Sequence, residues 1–316
     1  MGLPVEGCMR SPAWLRSVSI TCSHSPLNPS LYVSTPKESL LCLRTLSHGA
    51  FGYIDVGLFG TANEMRDVYI KRPIHPGKSL LYEACMQQLV RERLAEIGFS
   101  YGAPTILRVF RLHDHSVGFA MEPVEGACTL DHYLESAADG CLPTILVDVL
   151  LQLCAMVWHL SHRVGINHRD LTPSNFLVVD HPARRKVLTV ETDILEISSS
   201  VSLTLIDFGF SCLGSPETQR SELSLSTVYP VTDPCPKEGR DLYLFIGLLY
   251  IDYHHRFPSQ LRDLFERWLQ EPGLCRMMRR DKESSKKWLY FMVGNDQLTR
   301  FPSHPTRLIQ DLQAFV

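Results

Sequence analysis

His168-Arg169-Asp170-Leu171-Thr172-Pro173-Ser174-Asn175 places an acid that can accept a proton five positions before an amide that can hold a metal ion. Downstream, Leu203-Thr204-Leu205-Ile206 has the apolar, β-branched character of a buried strand, and it delivers Asp207-Phe208-Gly209 at its end. Upstream, Val68-Tyr69-Ile70-Lys71 reads as a strand that finishes on a lysine. One proton acceptor, two hard oxygen donors and one fixed cation thus follow in a defined order, and each sits at the end of an element or on a tight loop.

The bulk properties restrict what this order can serve. The chain of 316 residues, 45% hydrophobic and 21% charged, has the composition of a soluble globular protein with room for one large core or two. A net charge of −3 gives no global attraction to nucleic acid or to an anionic membrane. Ten cysteines are scattered without a CxxC pair or a Cys/His cluster at zinc spacing, which reads as free thiols in a reducing compartment, cytosol or nucleus. The N-terminal stretch lacks a compact apolar run before a small-residue cleavage site, and Glu6 stands where a myristoylation signal wants Ser or Thr. The most apolar stretch, Leu142 to Leu160, carries Asp148, Gln152 and His159 and reads as a buried helix rather than a membrane span.

Residues 1–40 are rich in Ser, Pro and Cys without a steady period and read as an irregular extension. Residues 41–122 read as a small β-rich lobe. Its strands fall at Leu41–Leu46, Gly52–Leu58, Asp67–Lys71, Ile106–Arg111 and Val117–Met121, with one helix over Ser79–Ile97. Residues 123–316 turn mainly helical, near 129–137, 143–163, 239–252, 258–270 and 304–314. The class is α+β, two lobes with a cleft between them, the usual place for a ligand.

The opening stretch resembles the catalytic loop of protein kinases, H-R-D-L-x-x-x-N, and Asp207-Phe208-Gly209 resembles their D-F-G. Val68 to Lys71 is similar to their V-A-I-K strand, and Ser47-His48-Gly49-Ala50-Phe51-Gly52-Tyr53-Ile54 to their glycine-rich loop. The resemblance covers about residues 41 to 314 and implies the two-lobed kinase fold with ATP and Mg²⁺ as cofactors. It implies that Ser47, Gly49, Gly52 and Ile54 cover the phosphates, and that Lys71 holds the α- and β-phosphates while paired with a glutamate. Glu83 is the choice for that glutamate, with Glu92 and Glu96 as rivals. Met121 takes the gatekeeper position. At the hinge, the Glu122 carbonyl and the Val124 N–H bind adenine, and Pro123 falls where no N–H is needed. Asp170 becomes the catalytic base, and Asn175 and Asp207 the Mg²⁺ ligands. His168 is a packed imidazole, and Asp241 the acid that braces the loop. Arg169 is either a phosphate-binding group on the activation segment or half of a structural ion pair.

Departures from the family are part of the reading. Ser47 replaces the first loop glycine, and Thr172 stands where Ser/Thr kinases carry lysine. Pro173 still follows the Ser/Thr pattern. Val231-Thr232-Asp233 aligns with A-P-E but keeps only the acid, which sets Ser226 and Tyr229 at substrate-contacting and packed positions. Ser211, Thr218, Ser221 and Ser224 are candidate phosphorylation sites on this segment. An insert over 180–202 is longer than the family's habit, with Val187–Leu195 as an added strand. The run Arg276–Lys287 reads as a solvated basic face, with a nuclear-import or acidic-partner patch as the alternative. These departures resemble divergent kinases of large DNA viruses, the herpesvirus type. The implied activity is transfer of the ATP γ-phosphate to Ser or Thr of protein substrates. A pseudokinase scaffold and a small-molecule kinase remain the alternatives.

Overall fold

The computed structural model describes residues 30–34, 38–49, 52–61, 63–112, 114–191, 193–226, 228–230 and 232–315. The chain divides into two compact units. The first takes the described residues up to Leu89 together with Pro104–Val124. The second takes Val90–Ala103 and the described residues from Glu125 onward.

The first unit is an antiparallel sheet with one helix. Its strands are β1 (Ser30–Ser34), β2 (Ser39–His48), β3 (Gly52–Thr61), β4 (Glu64–Pro73), β5 (Ile106–Arg111) and β6 (Val117–Met121), in the order β1-β2-β3-β4-β6-β5. Alternation explains the pleat: in β4, Val68 and Ile70 are buried and Tyr69 between them is half-buried. Those two side chains pack with Leu40, Cys42, Phe59, Phe110 and Ala120 as one cluster. Helix α1 (Leu81–Ala95), whose residues from Val90 on belong to the second unit, starts where Ser79 Oγ accepts the Leu81 N–H (3.2 Å), and its Ala84 packs with Val109 and Phe119. Strand β1 falls inside the segment expected to be irregular, because pairing with β2 satisfies its backbone. The rest of that extension lies outside the described residues, apart from residues 38–40.

The second unit is mainly helical. It contains β7 (Cys128–Thr129), α2 (Leu130–Ser136), α3 (Leu142–Trp158), β8 (Ile166–Asn167), β9 (Phe176–Val190), β10 (Asp193–Leu205), β11 (Cys212–Gly214) and β12 (Ser221–Ser224). After these come α4 (Arg240–Tyr253), α5 (Ser259–Leu269), α6 (Pro272–Arg280), α7 (Lys282–Gly294) and α8 (Pro305–Phe315). The segment Leu142–Val164 is long and apolar enough to cross a membrane, yet 89% of its apolar 18-residue window is buried inside the protein. Asp148 and Gln152 within it are satisfied there. Gln152 Nε2 donates to Asp148 Oδ1 (2.8 Å) and Ser199 Oγ (3.0 Å), and Asp148 Oδ2 accepts the Ser200 N–H (2.9 Å).

Two expectations are corrected here, and one is met. The insert is a long antiparallel hairpin, β9 against β10, so Val187–Leu195 spans the end of one strand, the turn and the start of the next. The basic run lies on α6 and α7 with Arg276, Arg279, Arg280, Lys282 and Lys287 exposed, the solvated face expected of it. Within it Arg279 pairs with Glu266 on α5, and Lys286 with Asp252 on α4 (3.0 Å). The cysteines are not all free: Cys212 and Cys235 form a disulfide, while Cys42, Cys85, Cys128, Cys141, Cys154 and Cys275 carry thiols.

Candidate active site

In the second unit, α3 continues as a π-helical turn, His159–Val164, that ends at Gly165. Gly165 has φ of 88°, and a Cβ there would lie 1.9 Å from the Gly214 carbonyl oxygen, so only glycine closes this turn. Strand β8 follows, held between its pairing with β11 and the carboxylate of Asp241 at the start of α4. Asp241 Oδ2 accepts from Asn167 Nδ2 (3.2 Å) and the His168 N–H (2.9 Å), and its Oδ1 accepts the Arg169 N–H (2.9 Å). With three donors converging on it, this carboxylate can hold Arg169 at φ 67°, a region most side chains avoid.

Asp170 then projects from a fixed backbone. Asn175 Nδ2 donates to its carbonyl (2.8 Å) and to its Oδ2 (3.0 Å), and the Tyr290 hydroxyl donates to its Oδ1 (3.1 Å). Burial and the neighbouring Asp170 charge push the Tyr290 phenol far up, so it remains a donor. The hairpin supplies the next group. Phe176 pairs with Leu205, and the Ile206 N–H donates to the Asn175 carbonyl (3.0 Å), which sets Asn175 and Asp207 at the same hairpin end. Asp207 is exposed, with φ of 64°. His168 Nε2 bonds the Ile206 carbonyl (3.1 Å), and its ring meets Phe208 edge-on at 5.3 Å, the packed role expected of it. A cavity of about 740 Å³ opens beside Asp170, walled by Phe210, Val228, Tyr229, Tyr290 and Phe291.

In the first unit, Lys71 on β4 is paired across the ladder with Ile54 on β3. Its ammonium is buried and bonded to the Glu83 carboxylate of α1, itself buried. Glu96, one of the rivals, pairs instead with Arg93 (2.6 Å). The loop between β2 and β3 is closed by the Gly49 N–H on the Gly52 carbonyl (2.9 Å), with Ser47 still paired to Ile54 in the ladder. A Cβ at Gly52 would come within 3.0 Å of the Arg72 carbonyl oxygen. Ala50 and Phe51 lie outside the described residues.

No family model matches the sequence. Among curated proteins, the Arabidopsis thaliana calcium-dependent protein kinases 13 and 7 are each 34% identical, and kinase 14 is 32% identical, over 122 residues. Those matches take in 37% of this chain, and the matched stretch is 18% of the length of each relative. Among solved structures, the BubR1 kinase domain superposes over 98% of this chain and 90% of its own, with a TM-score of 0.51 at 15% identity. The chain has a protein-kinase-like fold, and 122 of its residues are similar in sequence to protein kinases.

Within this kinase fold the remaining residues fall as follows. Met121 ends β6 and its sulfur accepts from Gln87 Nε2 (3.6 Å). The Glu122 N–H is spent on the Thr105 carbonyl (3.0 Å), and the Glu122 side chain pairs with Arg66 (3.0 Å). Val124 is the last residue of the first unit. Arg169 is fully buried. It contacts Asp233 (2.6 Å), donates to Ser224 Oγ (2.6 Å) and lies 4.8 Å over the Tyr229 ring. Burial, reinforced by nearby Arg240, pulls the Arg169 guanidinium down to about 10. Of the two roles left open for it, the ion pair is the one occupied. Asp233 gathers Lys237 (2.9 Å) and Arg240 as well, whose hydrogen bonds outweigh the upward push of burial and hold it below the usual carboxylate range.

Sequence reading missed Tyr290. The helix that carries it was hidden by its basic first half. The available signal was Asp281, whose side chain caps the Ser284 N–H (3.0 Å), followed by the apolar run Trp288 to Val293.

Proposed function

We propose that this chain is an ATP-dependent protein kinase that transfers the γ-phosphate to Ser or Thr hydroxyls of protein substrates. The observation that carries the reading is the buried Lys71–Glu83 pair, since that ion pair must be in place for kinase catalysis. A buried lysine bonded to a carboxylate is held in place, and a fixed ammonium is what a phosphate oxygen needs as donor. Asp170 would accept the substrate hydroxyl proton, held in orientation by Asn175 and Tyr290. Asn175 and Asp207 fit Mg²⁺: both offer hard oxygens, and the bonds from Asn175 Nδ2 to Asp170 leave its Oδ1 as the ligand atom. When bound there, Mg²⁺ would neutralise charge on the phosphates. Arg169 would act through the activation segment, tying Asp233 and Ser224 to the catalytic loop.

A second reading, a scaffold that binds ATP or partners without efficient transfer, is favoured by one observation. Thr172, in the place of the usual lysine, is 9% exposed and shares a hydrogen bond with Ser174 Oγ (2.8 Å), so it brings no cation to the transferred phosphate. Labelled ATP with Mg²⁺ and generic protein substrates, run beside Asp170→Ala, separates the readings. Label on serine or threonine that the variant abolishes supports the kinase. Nucleotide binding without transfer supports the scaffold, and transfer to a small molecule alone sinks both.

A further inference from the structure

Away from the residues above, His162, Glu238 and His304 meet in the second unit. One ligand atom from each lies within 4.8 Å of the others. They come from three separate segments: the π-helical turn after α3, the residue pair before α4, and the residue that precedes α8. We propose that they form a divalent-cation site of the zinc class.

The spacing suits that metal. Ligands bound at about 2.0–2.1 Å in a tetrahedron stand about 3.3 Å from one another. His304 Nε2 and Glu238 Oε1 are already 3.6 Å apart. Two imidazoles with one carboxylate select zinc over magnesium or calcium, which prefer all-oxygen shells.

The imidazole of His162 is prepared for the role. Ser161 Oγ donates its only proton to the Val157 carbonyl (2.8 Å). The same oxygen lies 2.8 Å from His162 Nδ1, so it must accept there, and Nδ1 carries the hydrogen. That leaves the lone pair on Nε2, the tautomer a metal would take, fixed by an outer hydrogen bond as in known metal sites. The ring has little freedom to turn, because it stacks on Trp158 at 5.7 Å and meets His304 edge-on at 5.7 Å.

The backbone holds the other two ligands. The Phe301 N–H donates to the Glu238 carbonyl (2.8 Å), and the His304 carbonyl accepts the Leu308 N–H (3.1 Å) of α8. Glu191 at the hairpin turn, bonded to Thr306 Oγ1 (2.9 Å), adds a carboxylate whose charge reaches His162. A bound ion would clamp the start of α8 to the turn that feeds the catalytic loop. Glu238 and His304 are each about one third exposed, so an ion has access and substitutions there spare the core.

The test uses the full chain stripped with a chelator, then titrated with Zn²⁺ by calorimetry and with Co²⁺ by visible absorption. One equivalent of metal is expected, with a rise in the thermal midpoint and the d–d bands of tetrahedral nitrogen and oxygen ligation. Glu238→Gln and His304→Ala each weaken zinc by at least about tenfold, and Ser161→Ala by about tenfold through the lost outer hydrogen bond. His304→Cys, which keeps a ligand, retains tight binding. The proposal is overturned if the stripped chain takes up no equivalent of zinc, if His304→Ala binds as the parent does, or if a sulfur-to-cobalt charge-transfer band places the metal on the parent's cysteines.

Discussion

Tyr290 contributes one hydroxyl to Asp170, and that bond defines what the residue scale can test. A hydrogen bond to an ionised group contributes about 1.5–3 kcal/mol, and here it fixes the rotamer of the proposed base. Tyr290→Phe is therefore expected to lower kcat by about tenfold or more, with KM for ATP unchanged, since no proposed ATP-binding residue is altered. Steady-state kinetics of the purified variant decide it, and an unchanged kcat would remove Tyr290 from the site. Residues of this kind mark the limit of sequence reading. Lys71, Asp170, Asn175 and Asp207 were legible because each sits in a short motif whose local geometry the neighbours dictate. Tyr290 was not, because its partner lies 120 positions away and no local rule links the two.

At the scale of elements, the hairpin of β9 and β10 is anchored on α3 through Lys186, whose ammonium donates to Gln152 Oε1 (2.6 Å) and lies 3.8 Å over the Phe99 ring. Burial pulls this lysine down to about 8 from an ordinary 10.5. Between those values the unfolded chain binds more protons at this site than the folded one, so its contribution to stability rises with pH through that window. Lys237, also pulled down to about 8 by burial, acts in the same sense. Urea midpoints are expected to climb as pH goes up from 8, read below about 9, where the unfolded thiols of Cys154 and Cys275, kept protonated by burial in the folded chain, begin to ionise and oppose the slope. Lys186→Met should flatten the climb by the share due to Lys186; an undiminished slope would show that its amine is not desolvated. The hairpin was half legible. Strand propensity near Val187–Leu195 was visible, but the turn at Glu191 falls within that stretch and only pairing reveals it. Helices α6 and α7 were hidden because the exposed basic residues along them mask the buried positions Leu274, Met278 and Leu289.

For the whole molecule, the α+β order of strands then helices was readable from the change of period after Met121. The Cys212–Cys235 bond was not, since scattered cysteines carry no pairing information. It closes a loop across 23 positions that includes β12 and Tyr229. A loop of this length constrains the unfolded chain by about 3 kcal/mol, so a reductant should lower the unfolding free energy by that order. Denaturation with and without dithiothreitol measures it, and Cys212→Ala must remove the difference. The Asp241 carboxylate has one more consequence, which concerns time. Asn167, His168 and Arg169 leave the ribosome long before the residue that fixes their backbone, and Tyr290 follows later still. The catalytic loop of a nascent chain therefore stays unset until most of the second unit has been synthesised. Any transfer activity begins as a late event in the life of the polypeptide, after the helices that carry its braces have docked.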